Sequence, residues 1–344
     1  MSAHPPNVSS RLFNALITPF REGSFDIDYD RYEAFIDYFL NEPDFAANGG
    51  LIVNPEAGEV FYQTDDEFEQ STTFALEVID DAVPTFVGVA GLRRETLVER
   101  AAFVDASGAD GIFLLPPMGS LEVVTAGGAM AYPEVWVDHA SAVAEVSDLP
   151  MIVHPVAPVS TEFGAGLPLD PTLAVLNSVQ SIVGWKMTYS HSGYNTVANA
   201  IRNLDRNVNV LCASGSFYQE KLAAGYFDGS VSGSFNYAME PMLEHYLHWQ
   251  DGDIAAATRV WEGGLRQLQE YVYAENKTKL HPRYKAAAWL RGFIDHPYMR
   301  PPMPAITREE VEELDRLLRA TGLDTIPETE RNRVLDHPVR VMRG

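Results

Sequence analysis

The sequence predicts a (β/α)8 barrel with a C-terminal three-helix extension, and three observations carry that reading. Apolar, strand-like runs recur eight times over about 240 residues, close to the ~250 residues that such a barrel takes. Helix-like stretches separate them, so the order is strand then helix, repeated, as a parallel sheet requires. After about Pro241 the strand-like runs stop and long helical stretches take over.

In order, the runs are LFNALIT, GGLIVN, VPTFVGVA, GIFLLPP, PMIVHP, SIVGWK, VNVLCAS and GSVSGS. Most are short and nearly continuous in apolar residues, the pattern of strands covered on both faces. Between them, Arg31 to Leu40, Asp66 to Ile79, Glu95 to Ala106, Pro133 to Val146, Pro171 to Leu176 and Gly193 to Leu204 have helical spacing or composition. Several carry Asp, Thr or Pro near their starts, where helix N-termini place them. The seventh and eighth units are the weakest, because their helices are short or atypical.

Asp253 to Tyr273, Arg283 to Phe293 and Thr307 to Leu318 read as three helices with broad apolar stripes, the last with Thr307 as N-cap. Pro-rich RPPMPAI forms the joint before that last helix. The resulting division is an N-terminal arm over residues 1–11, the barrel over 12–240, a helical region over 241–323 and a tail over 324–344. The tail is polar and ends in basic residues, as a mobile segment or an arm laid on a neighbouring subunit would be.

Composition narrows the function. Apolar residues at 46% and charged residues at 21% sustain a folded core rather than disorder. No apolar stretch approaches the ~18 residues of a membrane span, so a membrane partner is not expected. The opening MSAHPPNVSS lacks the basic flank and apolar centre of a signal peptide, and the expected compartment is the cytoplasm. A formal charge of −23 repels a phosphate backbone, which argues against nucleic acid. The acidic runs DDEFE near residue 65 and EEVEELD near residue 309 read as solvated helix faces.

Cys212, the single cysteine, lies in an apolar run and reads as a packed thiol. There is no HExxH and no paired-cysteine pattern, so no metal site is expected. His245 and His248 lie three apart in EHYLHW, a spacing that permits metal binding but reads more simply as two surface residues. Neither GxxxxGK nor GxGxxG occurs, and no cofactor is indicated.

Chemistry centres on Lys186, which closes the apolar run SIVGW. Lysine is rare inside a buried strand. Carried into a pocket, its amine would be partly desolvated, its ammonium pKa lowered, and a nucleophile freed that can form a Schiff base with a carbonyl compound. The competing reading is a lysine that snorkels or pairs at a strand end. Residues at the C-terminal ends of barrel strands face the mouth. That rim holds Asn54, Glu56 and Glu59 after the second strand, Met118 after the fourth, His154 closing the fifth, Lys186 closing the sixth, and Ser214 with Ser216 after the seventh. Such convergence favours the nucleophile, because a snorkelling lysine has no reason to share a mouth with a histidine and carboxylates.

From Leu12 to Leu323 the chain resembles the dihydrodipicolinate synthase and N-acetylneuraminate lyase superfamily. ALITPF followed by DID resembles its opening strand and loop, and ADGIFLLPP its fourth strand. IVGWK resembles the strand with the Schiff-base lysine, and GSVSGSFNYAMEP the eighth strand and following turn. The resemblance implies Lys186 as the imine-forming residue and a homo-oligomer, dimer or tetramer.

Departures bear on the substrate. Where the family reads GTTGE, this chain reads PEAGE, so Glu56 and Ala57 stand in place of two threonines that hold a substrate carboxylate, while Gly58 and Glu59 are kept. A carboxylate there would repel the carboxylate of pyruvate unless Glu56 is protonated or turned away. His154 takes the place of a proton-relaying tyrosine, a task its ordinary pKa suits; the alternative is a histidine bonded within the barrel wall. The second family tyrosine falls on Pro117 or Met118. An arginine of dihydrodipicolinate synthases aligns near Val159, so lysine biosynthesis is not expected.

The implied activity is a Schiff-base lyase of aldolase type on a 2-oxo acid or related carbonyl compound. Lys186, His154 and Glu56 are its candidate catalytic residues, and Ala57, Gly58, Met118, Ser214, Gly215 and Val231 its candidate substrate-binding ones, with Tyr189, Ser190 and Ser216 nearby. Glu59 is assigned a structural role, bonding loop amides. Two alternatives stay open: a dehydratase resembling the ketodeoxyglucarate dehydratases, and a non-catalytic small-molecule binder.

Overall fold

The computed structural model describes residues 8–117, 132–274 and 279–336. Met118 lies outside them. Eight parallel strands close a barrel: β1 (Arg11–Ala15), β2 (Gly49–Val53), β3 (Thr85–Val89), β4 (Gly111–Leu114), β5 (Met151–Val153), β8 (Ile182–Met187), β9 (Asn209–Cys212) and β10 (Gly229–Ser232). Around the barrel the order is β1-β10-β9-β8-β5-β4-β3-β2. Each strand coincides with one of the eight apolar runs, β1 and β8 each reaching one residue beyond.

Large and small side chains alternate across the interior, as a narrow barrel requires. Phe13 pairs in register with Gly50, and Phe86 with Gly111. A Cβ at Gly50 would lie 2.6 Å from the Phe13 ring, and one at Gly111 only 2.2 Å from the Phe86 ring. These glycines make room for the phenylalanines that fill the barrel.

β6 (Val156–Ser160) and β7 (Gly164–Gly166) form an antiparallel hairpin outside the barrel, in a segment where no strand is expected from sequence. Pro158 interrupts the run and Val159 is 79% exposed, so no periodic apolar face announces it. The hairpin sits over the strand ends and shapes the mouth.

The helix Phe235–Gln250, which follows the last barrel strand, runs through Pro241 with a kink at Ala238. The stretch expected as one helix over Asp253 to Tyr273 is broken into Ile254–Val260, a π-helical turn Trp261–Leu265 and Arg266–Val272, with Gly264 at φ 126°. Glycine there admits a backbone that other residues avoid. The helix Leu280–Leu290 is buried along its whole length from Pro282 onward. Within the polar tail, Glu328–Asp336 form a further helix. It is held by buried Val334, by the Tyr298 hydroxyl donating to the Val334 carbonyl at 3.0 Å, and by Arg308 paired with Asp336 at 2.7 Å.

Two acidic runs do more than face solvent. Glu67 closes a capping box with Thr64 and pairs with Arg300 at 2.5 Å, while Asp65 pairs with Arg100 at 2.8 Å. Glu310 closes a second box with Thr307 and pairs with Lys279 at 3.0 Å and Arg283 at 3.3 Å. His245 is also not a surface residue. It is fully buried, and its Nε2 lies 2.7 Å from Gln219 Oε1.

Candidate active site

Lys186 is the penultimate residue of β8, in register with Leu211 of β9, and alternation along the strand turns it into the barrel while Trp185 packs outward. Its Nζ stands 5.3 Å from the centroid of the Phe113 ring. Removal from water pulls the ammonium from 10.5 down to about 8, against the opposing pull of the Glu56 carboxylate.

His154 follows β5 directly and stacks on the same Phe113 ring, centroids 5.6 Å apart. Its Nδ1 lies 2.7 Å from Glu56 Oε2, with the imidazole nearly buried and the Glu56 side chain 20% exposed. The contact is of hydrogen-bonding length, and each group stabilises the charged form of the other. At that separation a proton on Nδ1 is favoured, since two lone pairs would repel. Nε2 is then the free lone pair, and among the described residues it has no hydrogen-bond partner. Although burial alone would raise the Glu56 carboxyl, His154 chiefly holds it down at about 2. Burial and Lys186 lower the His154 pKa below its ordinary value, and Glu56 opposes them. At neutral pH the site therefore holds a carboxylate, a neutral imidazole and an ammonium that gives up its proton about one pH unit higher.

These three groups line one cavity of about 310 Å³. Val156 and Ala165 of the hairpin form one wall. Leu280, His281 and Tyr284, from the start of the helix Leu280–Leu290, form another. Burial takes the His281 pKa from 6.5 to about 4, with Lys186 and His154 adding to the shift and Glu56 opposing it. His281 stands out neither in periodicity nor in spacing. The one trace in the sequence is the mixture of His, Arg and Lys within LHPRYKAAAWL, a run otherwise apolar enough to be buried, where each polar group must find a partner.

Glu59 faces away from the cavity. Its Oε1 accepts from Lys285 Nζ at 2.7 Å and its Oε2 from the Arg300 amide at 2.7 Å, with both charged side chains sealed from solvent. Lys285 lies one helical turn beyond His281, so this pair ties the loop after β2 to the helix that brings His281 to the cavity.

Of the residues singled out from sequence, Glu56, Ala57, His154, Lys186, Tyr189, Ser190, Ser214 and Ser216 line the cavity. Four others do not. Gly58 packs under the chain, its carbonyl accepting from Thr18 Oγ1 at 2.8 Å. Gly215 backs onto Gln269 and Ser234, where a Cβ would come within 2.2 Å of Gln269 Oε1. Val231 does point into the barrel, in register with Phe13, but two residues below Gly233 and so beneath the cavity floor. Asn54 turns its amide to Ser71 and Thr72 at 3.0 and 2.9 Å, which anchors a helix to β2.

Comparison with known proteins agrees with this architecture. A model of the "Dihydrodipicolinate synthetase family" matches residues 8–321. The chain is 26% identical over 321 residues to a 4-hydroxy-tetrahydrodipicolinate synthase of Thermotoga neapolitana, covering 90% of this chain and 97% of the relative. It is 25% identical over 283 residues to "Probable 2-dehydro-3-deoxy-D-pentonate aldolase YjhH" of Escherichia coli K12, covering 79% and 89%. Among solved structures, YagE of E. coli K12 in complex with pyruvate superposes with a TM-score of 0.78 at 21% identity, over 92% of this chain and all of that one. A barrel with this strand order and extension, matched by the family model over nearly its whole length, makes the chain a member of the dihydrodipicolinate synthetase family, a family of lyases.

Proposed function

We propose that this protein is a Schiff-base lyase of aldolase type, acting on a 2-oxo acid or related carbonyl compound. The observation that carries the reading is the Lys186 amine, set in the cavity at the barrel mouth with its pKa lowered to about 8. At neutral pH about a tenth of such an amine is uncharged, against a few in ten thousand for an ordinary lysine. The free amine attacks the carbonyl carbon, a C–N bond forms, and the carbonyl oxygen takes up protons and leaves as water. The protonated imine then withdraws electrons from an adjacent carbon–carbon bond, which breaks, or forms in the reverse direction.

His154 is the proton carrier in this reading. Its neutral ring offers Nε2 as a base, and the Glu56 carboxylate at Nδ1 stabilises the imidazolium that forms on proton uptake. The chemistry does not extend to tetrahydrodipicolinate synthesis, because no arginine lines the cavity among the described residues to clamp a second carboxylate.

Borohydride reduction with a panel of oxo acids, ketones and aldehydes, followed by mass analysis of the peptide holding Lys186, tests the proposal. A reduced adduct on Lys186 is expected with at least one carbonyl, and none in Lys186→Ala. Absence of any adduct, with every carbonyl and at every pH tried, overturns the reading in favour of a non-catalytic binder.

A further inference from the structure

The charge inventory of the cavity limits what can enter it. Apart from tyrosines, four ionisable side chains line it among the described residues: Glu56, His154, Lys186 and His281. Both histidines are buried and neutral at neutral pH. That leaves one anion, Glu56, and one cation, Lys186, which among the described lining residues has no second lysine or arginine beside it.

Imine formation preserves this balance. An ammonium and a carbonyl give a protonated imine and water, so the nitrogen carries one positive charge before and after. The iminium remains matched by the Glu56 carboxylate. A carboxylate on the substrate, next to the reacting carbonyl, would add a second anion to a partly buried site whose one cation among the described residues is already balanced by the Glu56 carboxylate, and an uncompensated charge there is unfavourable.

Most hydroxyls of the wall are already engaged, and the Thr188 hydroxyl, which has no hydrogen-bond partner among the described residues, is a single neutral donor that does not balance a charge. Ser214 and Ser216 bond to each other at 2.8 Å, and Ser190 Oγ donates to the Glu162 carbonyl at 2.5 Å. Tyr273 is engaged with Ser232 at 2.8 Å. The position beside Glu56 is the methyl of Ala57.

We infer that the preferred substrate is a carbonyl compound with no carboxylate adjacent to the reacting carbon, an uncharged ketone, hydroxyketone or aldehyde, selected against 2-oxo acids by the Glu56 carboxylate. The inference rests on the Schiff-base reading and narrows its substrate.

A matched pair separates the two claims. Pyruvate and pyruvamide differ at the group next to the ketone, one charged and the other neutral, and both can be trapped on Lys186 with cyanoborohydride. Their intrinsic reactivity ratio is measured on N-acetyl-lysine methylamide and divided out. Relative to that reference, pyruvamide is expected to label Lys186 at a concentration at least about tenfold lower than pyruvate, and Glu56→Gln is expected to erase most of the difference. Pyruvate labelling Lys186 as well as or better than the reference ratio allows overturns the substrate inference and leaves the Schiff-base reading intact. No label from either compound, with the wider panel also silent, overturns the Schiff-base reading and the inference with it. Should Glu56→Gln fail to fold, the wild-type ratio alone decides.

Discussion

Glu59 Oε1 and Lys285 Nζ meet at 2.7 Å with side chains 1% and 0% exposed, joining the loop after β2 to a helix 226 residues further along the chain. Glu59 holds a left-handed backbone, φ 62°, and Lys285 also stands 3.8 Å over the Phe20 ring. The pair fastens the helix that carries His281 and Tyr284 against the barrel mouth. Removing one partner strands the other's charge in the interior. Glu59→Gln is therefore expected to destabilise the protein by about 3–5 kcal/mol, read by urea unfolding. The double change Glu59→Gln with Lys285→Met is expected to recover part of that loss, since no unpaired charge then remains.

Glu56 and Lys186 oppose each other's titration. The carboxylate raises the amine pKa while burial lowers it, so removing the carboxylate leaves burial unopposed. In Glu56→Gln the midpoint for trapping at Lys186 is expected to move to the acid side of about 8. Turnover of any substrate is nevertheless expected to fall, by about 10²-fold or more, because His154 loses the group that stabilises its protonated form. His154→Phe should separate the two roles differently: adduct formation at Lys186 persists, while turnover drops by about 10²–10⁴-fold. Mass analysis of the adduct beside a steady-state rate checks both variants.

His245 gives the fold an acid limb. Burial, aided by His248, lowers its pKa from 6.5 to about 4, so the folded protein refuses a proton that the unfolded chain accepts. Stability from this group is full above about 6.5 and is lost as pH falls from there towards 4, to a limit of ~3 kcal/mol. Urea unfolding at neutral pH and about two units lower is expected to show that loss. His245→Gln, which cannot charge, is expected to make that loss smaller, the buried His139 and His281 keeping the rest of the slope.

Much of the barrel was legible because its strands are buried on both faces and read as unbroken apolar runs. Lys186 and His154 stood out for the same reason, as polar residues ending such runs. Glu56 was visible only by contrast with a familiar motif, and its partner could not be read from sequence, since the 2.7 Å contact to His154 joins the ends of β2 and β5. His281 was missed because it comes from outside the barrel, on a helix whose placement depends on the Glu59–Lys285 pair. Gly58 and Gly215 were misplaced because position at a strand end does not say which way a loop turns, and Val231 because facing into the barrel does not say at what depth the cavity floor lies. The hairpin escaped notice because its strands are short and partly exposed, and the Glu328–Asp336 helix because its anchoring comes from ion pairs and a single buried valine.

The central claim is that Lys186 is a nucleophile because burial has brought its amine near neutrality. Its most direct test is the pH profile of cyanoborohydride trapping at Lys186, followed by peptide mass, with whichever carbonyl of the panel labels it. The predicted result is a single adduct on Lys186 whose rate of formation rises through a midpoint near 8 and then levels. A midpoint at the ordinary lysine value of 10.5, or labelling spread over surface lysines with none on Lys186, would contradict it.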